Sequence, residues 1–523
     1  MERIVGPLAL AVLLVASAAC TPAPTPVPSR PVITATSEAV FSAKDIAAYQ
    51  GDHADIYAHI RQNLPGHIAN IQRWVRQPSI SALNIGVAQM AEMVRADYQK
   101  LGCQESTLVP TSGHPGVFAS CSFGAPKTLV VYMMYDVQPV EPEDWRSPPF
   151  EARLLDHDLG TVLMGRGAIN QKGPQRAFLN ALESIIAVRG KLPVNILFAA
   201  EGEEELGSPH YPEIIDKYEA QLAKADGALF PSMSQDPSGL VSVSLGVKGI
   251  VYFELSTEGG EQGGPSRAEI HGSFKAIVDS PTWRLVQALS TLTSPDGNTI
   301  TVPGFYDAIR APNEEEQRLL NGLLPDWQSR EAGLRQAMGV SRWIEGWTGR
   351  ETQLQMLFNT TLNIDGIGSG YTGEGVKTIL PHRAVAKVDA RLVPNQHPDS
   401  IVGLIRRHLD SLGFTDVKLT KLSGYPPAQS SIEAPFVRAA IGVFNKYSQR
   451  VSVAPRVGGS APYYVFTDRL KLPMIAAGLG YGTGAHAPNE ILLLTPKEGS
   501  PIAGLFDQER FYVDLLYALA EGK

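Results

Sequence analysis

The sequence predicts an α/β layer fold interrupted by a compact α+β unit, and three observations carry that prediction. From Asp45 to about Gly246, helical apolar periodicity alternates with short apolar runs, the pattern of helices layered on a sheet. Four apolar runs, Leu129–Tyr135, Val194–Ala200, Ala228–Phe230 and Pro473–Ala477, read as buried strands, each followed by Gly, Ser or acidic residues. Between about Val247 and Pro426 the character changes to alternating strands and amphipathic helices. The length of 523 residues suits two to four domains. With 44% hydrophobic and 19% charged residues the composition is that of a globular protein. The net charge of −8 and the lack of any basic tract exclude a nucleic-acid partner.

In chain order, the first element is a leader. MERIVGPLALAVLLVASAAC has a charged start, an apolar core from Ile4 to Val15 and small residues before Cys20. That core is too short for a membrane span and fits a signal peptide. Its ending, Ser17-Ala18-Ala19-Cys20, resembles a bacterial lipoprotein signal with Cys20 as the lipidated first residue. The alternative is a plain secretory signal with an incidental cysteine. The lipoprotein reading places the protein in a bacterial cell envelope, held to a membrane through Cys20. Residues 20–44 begin TPAPTPVPSRPV after Cys20 and read as an extended, structureless tether.

Ala88–Leu101 has helical periodicity. Cys103 and Cys121 then flank a predicted hairpin whose midpoint falls on Ser112, which places them opposite each other as a disulfide or as two buried thiols. Within the inserted unit, VYFELSTE and AVAKVDARLVP alternate as strands, while PTWRLVQALSTL and IVGLIRRHLDSLG read as helices. The polar stretch Pro312–Gly346 is expected to decorate this unit. The resulting division is 1–19 signal, 20–44 tether, 45–246 first part of the α/β domain, 247–426 insert and 427–523 second part.

In an open α/β sheet, ligands gather beyond the carboxyl ends of the strands. Those ends supply Tyr135-Asp136, GRGAINQKG (165–173), EGEEELGS (201–208), PSMSQ (231–235) and GAHAPNE (484–490). Three adjacent glutamates after a buried strand need a facing cation or a hydrogen-bond network, unless they form a solvated helix N-terminus.

Taken together, YDVQP, W-x-x-P-P-F (Trp145 to Phe150), GRGA-x-x-x-KG and EGEEELGS closely resemble the carnosinase-like, di-zinc metallopeptidase family 20. The resemblance continues through AEIHGS, NIDGIGSGY, RLVP and GGSAP to GAHAPNE, and so covers nearly everything after Asp45. It implies a three-layer α/β catalytic domain with a mixed, mostly parallel sheet, plus an inserted α+β lid or dimerisation domain. It also implies a cis peptide between Asn170 and Gln171.

Residue by residue, the resemblance implies a degenerate metal site. The family's first ligand, a His, falls on Met134, its bridging Asp on Asn170 and its second acid on Ser232, while Glu205 and His486 are kept. Zinc takes nitrogen, thiolate or carboxylate donors, so one of two sites is lost. The other retains Glu205 and His486 with Asn170, enough for one divalent ion such as zinc or manganese or for none. Losing two cations together with two carboxylates avoids unpaired buried charge.

The substrate-gripping half is kept. Glu204 matches the family's general base, Asp136 the residue that orients the lost His, and Lys172 is retained. His271 matches a residue that stabilises the oxyanion, often from a partner subunit. Arg391, Ser460 and the Gly458-Gly459 turn match a clamp for a substrate carboxylate. Three readings follow: an amide-bond enzyme for small peptides or N-acyl amino acids with little or no metal dependence, which includes transfer to an amine; a binding protein without turnover; and a hydrolase using Ser232 as nucleophile with Glu204 or His486.

Overall fold

The computed structural model describes residues 30–522. The signal sequence and Cys20 lie outside the described residues. Among the described residues, no helix is long and apolar enough to cross a membrane.

A six-stranded sheet forms the centre of the catalytic domain. Its spatial order is Glu105–Val109, Gly116–Cys121, Asn195–Glu201, Thr128–Met134, Gly227–Pro231 and Met474–Ala477. The first two pairings are antiparallel and the other three parallel. Thr128–Met134 is buried at every position after the first, because a parallel strand covered on both faces needs a continuous apolar run. Helices Ala54–Arg76, Val87–Lys100, Lys172–Arg189, Pro435–Tyr447 and Leu505–Glu521 cover one face, and Tyr211–Leu222 covers the other. Three layers result, with the last sheet strand and the last helix supplied by the C-terminal part of the chain.

The insert carries a four-stranded antiparallel sheet in the order Asn363–Ser369, Arg383–Leu392, Gly249–Glu258 and Lys418–Tyr425. Val251, Phe253 and Leu255 pack with helices Pro281–Ser290 and Pro398–Ser411 in a core of their own. This α+β lid faces the catalytic domain across a cleft. A smaller sheet pairs Ile491–Pro496 with Gly160–Met164 and so brings the 166–170 loop beside His486.

The structure differs from expectation in two places. Helix Glu314–Ala337, within the stretch expected to decorate the insert, packs instead on the catalytic domain. Leu319 enters the main core, and the buried Glu316 is paired with Arg310 and Arg456. The second difference is the distal tether, which is docked rather than free. Ile33 is buried with Leu320, Leu354, Leu357 and Phe358, and the amides of Thr36 and Ser37 donate to Gln317 Oε1 at 2.8 and 2.6 Å. Cys103 and Cys121 are joined in a disulfide at the open end of the hairpin.

Candidate active site

The site assembles where Asp136 and the 202–206 turn leave adjacent parallel strands. Asp136 is fully buried and accepts from Ser81 Oγ at 2.7 Å and from the backbone N–H groups of Glu204 and Glu205 at 3.2 and 3.1 Å. It therefore fixes the acidic turn, where the resemblance gave it a histidine to orient. Burial, with the charge of Glu205, pushes its carboxyl up to about 7. Burial first, then Glu205, Asp136 and Glu201, holds Glu204 well above the usual carboxylate range. Behind them, Glu201 accepts from Tyr132 at 2.7 Å and from Ser208 at 2.8 Å.

Glu205, Asn170 and His486 come together as expected, in a hydrogen-bonded cluster. Asn170 Nδ2 donates to Glu205 Oε1 at 2.6 Å and lies 3.1 Å from His486 Nε2. The other Glu205 oxygen accepts from Gln138 Nε2 at 2.8 Å and is 3.2 Å from His486 Nε2. The hydrogen bond to Glu205 raises the His486 pKa. Because a carboxylate only accepts, the amide turns its nitrogen toward Glu205.

The loop carrying Asn170 is anchored by Glu490. This buried carboxylate accepts from Arg166 Nη1 at 2.7 Å and from the N–H groups of Gly167, Ile169 and Asn170 at 3.1, 2.8 and 2.9 Å. The Asn170–Gln171 peptide is cis. Lys172 is fully buried with Nζ 2.6 Å from the Gln77 carbonyl, and burial lowers its pKa to about 7. Gly173 is obligatory, since a Cβ there would meet the Ala168 carbonyl at 2.0 Å.

The donor set does not fit two metals. Met134 is 2% exposed and offers a thioether, Ser232 offers a hydroxyl, and Asn170 presents an amide nitrogen to the cluster. Among the described residues, no group of three or more His, Cys, Asp or Glu is placed to hold a metal ion. Ser232 lines a separate cavity of about 280 Å³ with Asn170, and its backbone is fixed by Ala477 and Tyr512. Among the described residues it has no hydrogen bond to Glu204 or His486, which a nucleophile would need from its base.

Opposite the acidic turn, Arg391 Nη1 donates to Ser460 Oγ at 2.9 Å, and Ser460 Oγ donates to the Gly249 carbonyl at 3.1 Å. Arg391 Nε lies 3.2 Å from Asp389 Oδ2. The Gly459 carbonyl accepts from the Lys248 amide at 2.9 Å, so the turn is tied to the lid hinge. Glu204, Glu205, His486, Arg391, Gly459 and Ser460 line one cleft of about 710 Å³ between the domains. Asp365 joins them from a β-bulge between Ile364 and Gly366, which turns its side chain to this face.

His271 is not brought to this cleft. It is exposed on the two-stranded ribbon with Ile379–Leu380, and its Nδ1 is 2.8 Å from Ser273 Oγ. Sequence reasoning missed four residues: Gln138, Glu490, Ser81 and Asp365. The first two lie inside motifs already singled out, YDVQP and GAHAPNE, while Ser81 reaches the site only through the fold. Asp365 lies within NIDGIGSGY, where only the bulge reveals which way it points.

Comparison with known proteins gives the same framework. The family model for Peptidase family M20/M25/M40 matches residues 131–495. The chain is 30% identical over 466 residues to the Cys-Gly metallodipeptidase of Schizosaccharomyces pombe, covering 84% of this chain and 94% of that one. It is 27% identical over 409 residues to the Beta-Ala-His dipeptidase of Rattus norvegicus, covering 76% of each. The crystal structure of an M20 family metallo-carboxypeptidase from Sulfolobus solfataricus superposes with a TM-score of 0.75 at 31% identity, covering 87% of this chain and 98% of that one. With its sheet order, lid and strand-end motifs in place, this chain belongs to Peptidase family M20/M25/M40.

Proposed function

We propose that the protein cleaves or transfers amide bonds of small peptides or N-acyl amino acids bearing a free carboxylate, without a paired metal centre. The observation that carries this reading is that Glu204 and the Arg391–Ser460 pair line the same cleft. Arg391 and Ser460 hold the substrate carboxylate by charge and hydrogen bonding. Glu204 takes a proton from water or an amine as that nucleophile attacks the amide carbon, then delivers it to the leaving nitrogen as the C–N bond breaks. Dipeptidase names among the relatives support a small-peptide substrate.

Two further parts of the reading concern assembly and place. His271 would serve a cleft only from a second copy joined through the lid, whose surface exposes Ile277, Trp283 and Ile367. Cys20 would anchor the protein to a membrane of the bacterial envelope.

The test is a screen of dipeptides and N-acyl amino acids in the presence of chelator, repeated with Glu204→Gln. Turnover that survives chelation and falls about 100-fold or more in the variant, with ligand still bound, is the expected result. Activity that requires two zinc or manganese ions per chain would defeat it, whereas activity restored by one ion would place that ion at Glu205, His486 and Asn170. A second reading, capture without cleavage, is favoured by Asn170, Glu205 and His486 being bonded to one another. Binding that depends on Arg391, with no turnover in any assay, would establish that reading instead.

A further inference from the structure

The loop after helix Glu314–Ala337 lies outside the cleft and has a chemistry of its own. Met338, Val340 and Ile344 are 60%, 40% and 40% exposed. Arg335 and the exposed Arg342 lie in the same segment, and so do Trp343 and Trp347. Single exposed apolar side chains are ordinary, but three in one loop among basic and aromatic residues mark a surface that meets something.

The loop is built rather than left over. Gly339, at φ 67°, closes the helix, and the N–H groups of Gly339 and Val340 bond the carbonyls of Gln336 and Arg335 at 3.1 and 3.0 Å. Beneath it, the buried carboxylate of Glu331 accepts from Trp343 Nε1, the Gly349 N–H and Thr352 Oγ1 at 2.8, 2.9 and 2.9 Å. The apolar side chains are therefore presented outward on a fixed base.

A second observation says what they face. The described chain begins at Arg30, whose guanidinium lies 4.7 Å over the Trp347 ring and 3.8 Å from Glu345. The start of the fold is thus seated on this loop. From Cys20 to Arg30 a fully extended chain spans at most ~36 Å. Arg30 also offsets Glu345 and Arg335 faces the buried Glu331, so Arg342 leaves the loop with a net positive charge on a protein whose net charge is −8.

We propose that residues 338–347 dock on a lipid bilayer with anionic headgroups, as a membrane contact separate from any acyl chain at Cys20. Met338, Val340 and Ile344 enter the interfacial layer, while Trp343 and Trp347 hold the loop from beneath. Arg342 meets the lipid phosphates. This contact sets the orientation of the protein, with the helix Glu314–Ala337 side toward the bilayer.

The experiment uses the chain from residue 20 onward carrying Cys20→Ser, so that no acyl chain contributes. It is sedimented with vesicles of phosphatidylethanolamine and phosphatidylglycerol. The expected result is binding that falls about tenfold or more in Met338→Asp/Ile344→Asp, with an unchanged melting temperature. Arg342→Ala should weaken binding to these vesicles and leave any binding to phosphatidylcholine vesicles as it was. No sedimentation of the parent chain, or equal binding by the Asp variant, would overturn the proposal. So would a parent dimer that the Asp variant converts to monomer, since the face would then join two copies. The intact mass of the envelope-extracted protein tests lipidation at Cys20 separately, so the two ideas can fail independently.

Discussion

Placing a carboxylate at Asn170 is the sharpest test of how this site is balanced. In Asn170→Asp, an acceptor replaces the amide nitrogen that sits 2.6 Å from Glu205 Oε1. Two carboxylates with charge centres about 4 Å apart repel by roughly 4 kcal/mol at an effective dielectric of about 20. His486, 3.2 Å from Glu205 and raised in pKa by it, offsets part of this. A net cost of about 2–4 kcal/mol is the working figure. Unfolding entropy of ~2.1 cal/mol/K per residue gives ~1 kcal/mol/K for a chain of this length, so the melting temperature should fall by about 2–4 °C in chelator. The introduced carboxylate, Glu205 and His486 would then offer three zinc ligands. Added zinc should therefore raise the variant's melting temperature and leave the parent's unchanged. The assay is differential scanning fluorimetry with chelator, zinc or manganese. A variant as stable as the parent in chelator would contradict this balance of charges, and so would a parent that zinc stabilises.

Two further predictions concern the lid side of the cleft. Arg391→Ala removes the cation that Ser460 and Asp389 position, and it should raise KM or Kd for carboxylated substrates about tenfold or more while leaving their amidated analogues unaffected. Equal losses for both ligand types would remove Arg391 from the carboxylate clamp. Asp365, exposed at the edge of the lid sheet, has its carboxyl pushed up to about 6 by partial desolvation, and next by its hydrogen bond to Asp389 and the charge of that residue. Since the folded value lies above the unfolded 3.8, its contribution is full below pH 3.8 and is lost as pH rises through 6. Asp365→Asn should flatten that part of the stability profile, read by urea denaturation across pH 3.8 to 6, and an unchanged slope would argue against the assignment.

The main lines of the fold could be read from the chain because they rest on short-range pattern. The runs around Val131, Phe198, Leu229 and Ile475 are apolar on both faces, and only strands buried in a layered sheet carry that signature. The lid strand Gly249–Glu258 likewise declares itself by alternation. Helix Glu314–Ala337 escapes correct placement because its buried face is narrow. Leu319 and Leu320 are its buried apolar residues, and buried ion pairing at Glu316 decides where it docks. The docked segment near Ile33 is hidden for the same reason, since one isoleucine and a few backbone bonds to Gln317 and Asn321 leave no periodicity.

The site was legible as a set of positions and much less so as a set of bonds. Asn170, Glu205 and His486 do converge, as their motifs suggested. Asp136, however, is spent on the amides of Glu204 and Glu205, and nothing along the chain announces that geometry. Ser81 donates to the same carboxylate from 55 positions away. His271 shows the opposite limit: its motif is well matched, yet one copy of the chain leaves it outside the cleft lining.

Glu490 sets a schedule for synthesis. The carboxylate that gathers Arg166 and the 167–170 amides comes 320 or more positions later in the chain, and the central sheet's last strand, Met474–Ala477, arrives only shortly before it. A nascent chain that has released its first two hundred residues can pair its early strands, but its 166–170 loop has no acceptor to close upon. Loop closure over such a separation is slow and favours late completion. The cleft is therefore among the last parts of the molecule to exist, and a chain cut short before residue 490 would lack both the acceptor that organises the loop and the last helix of the core.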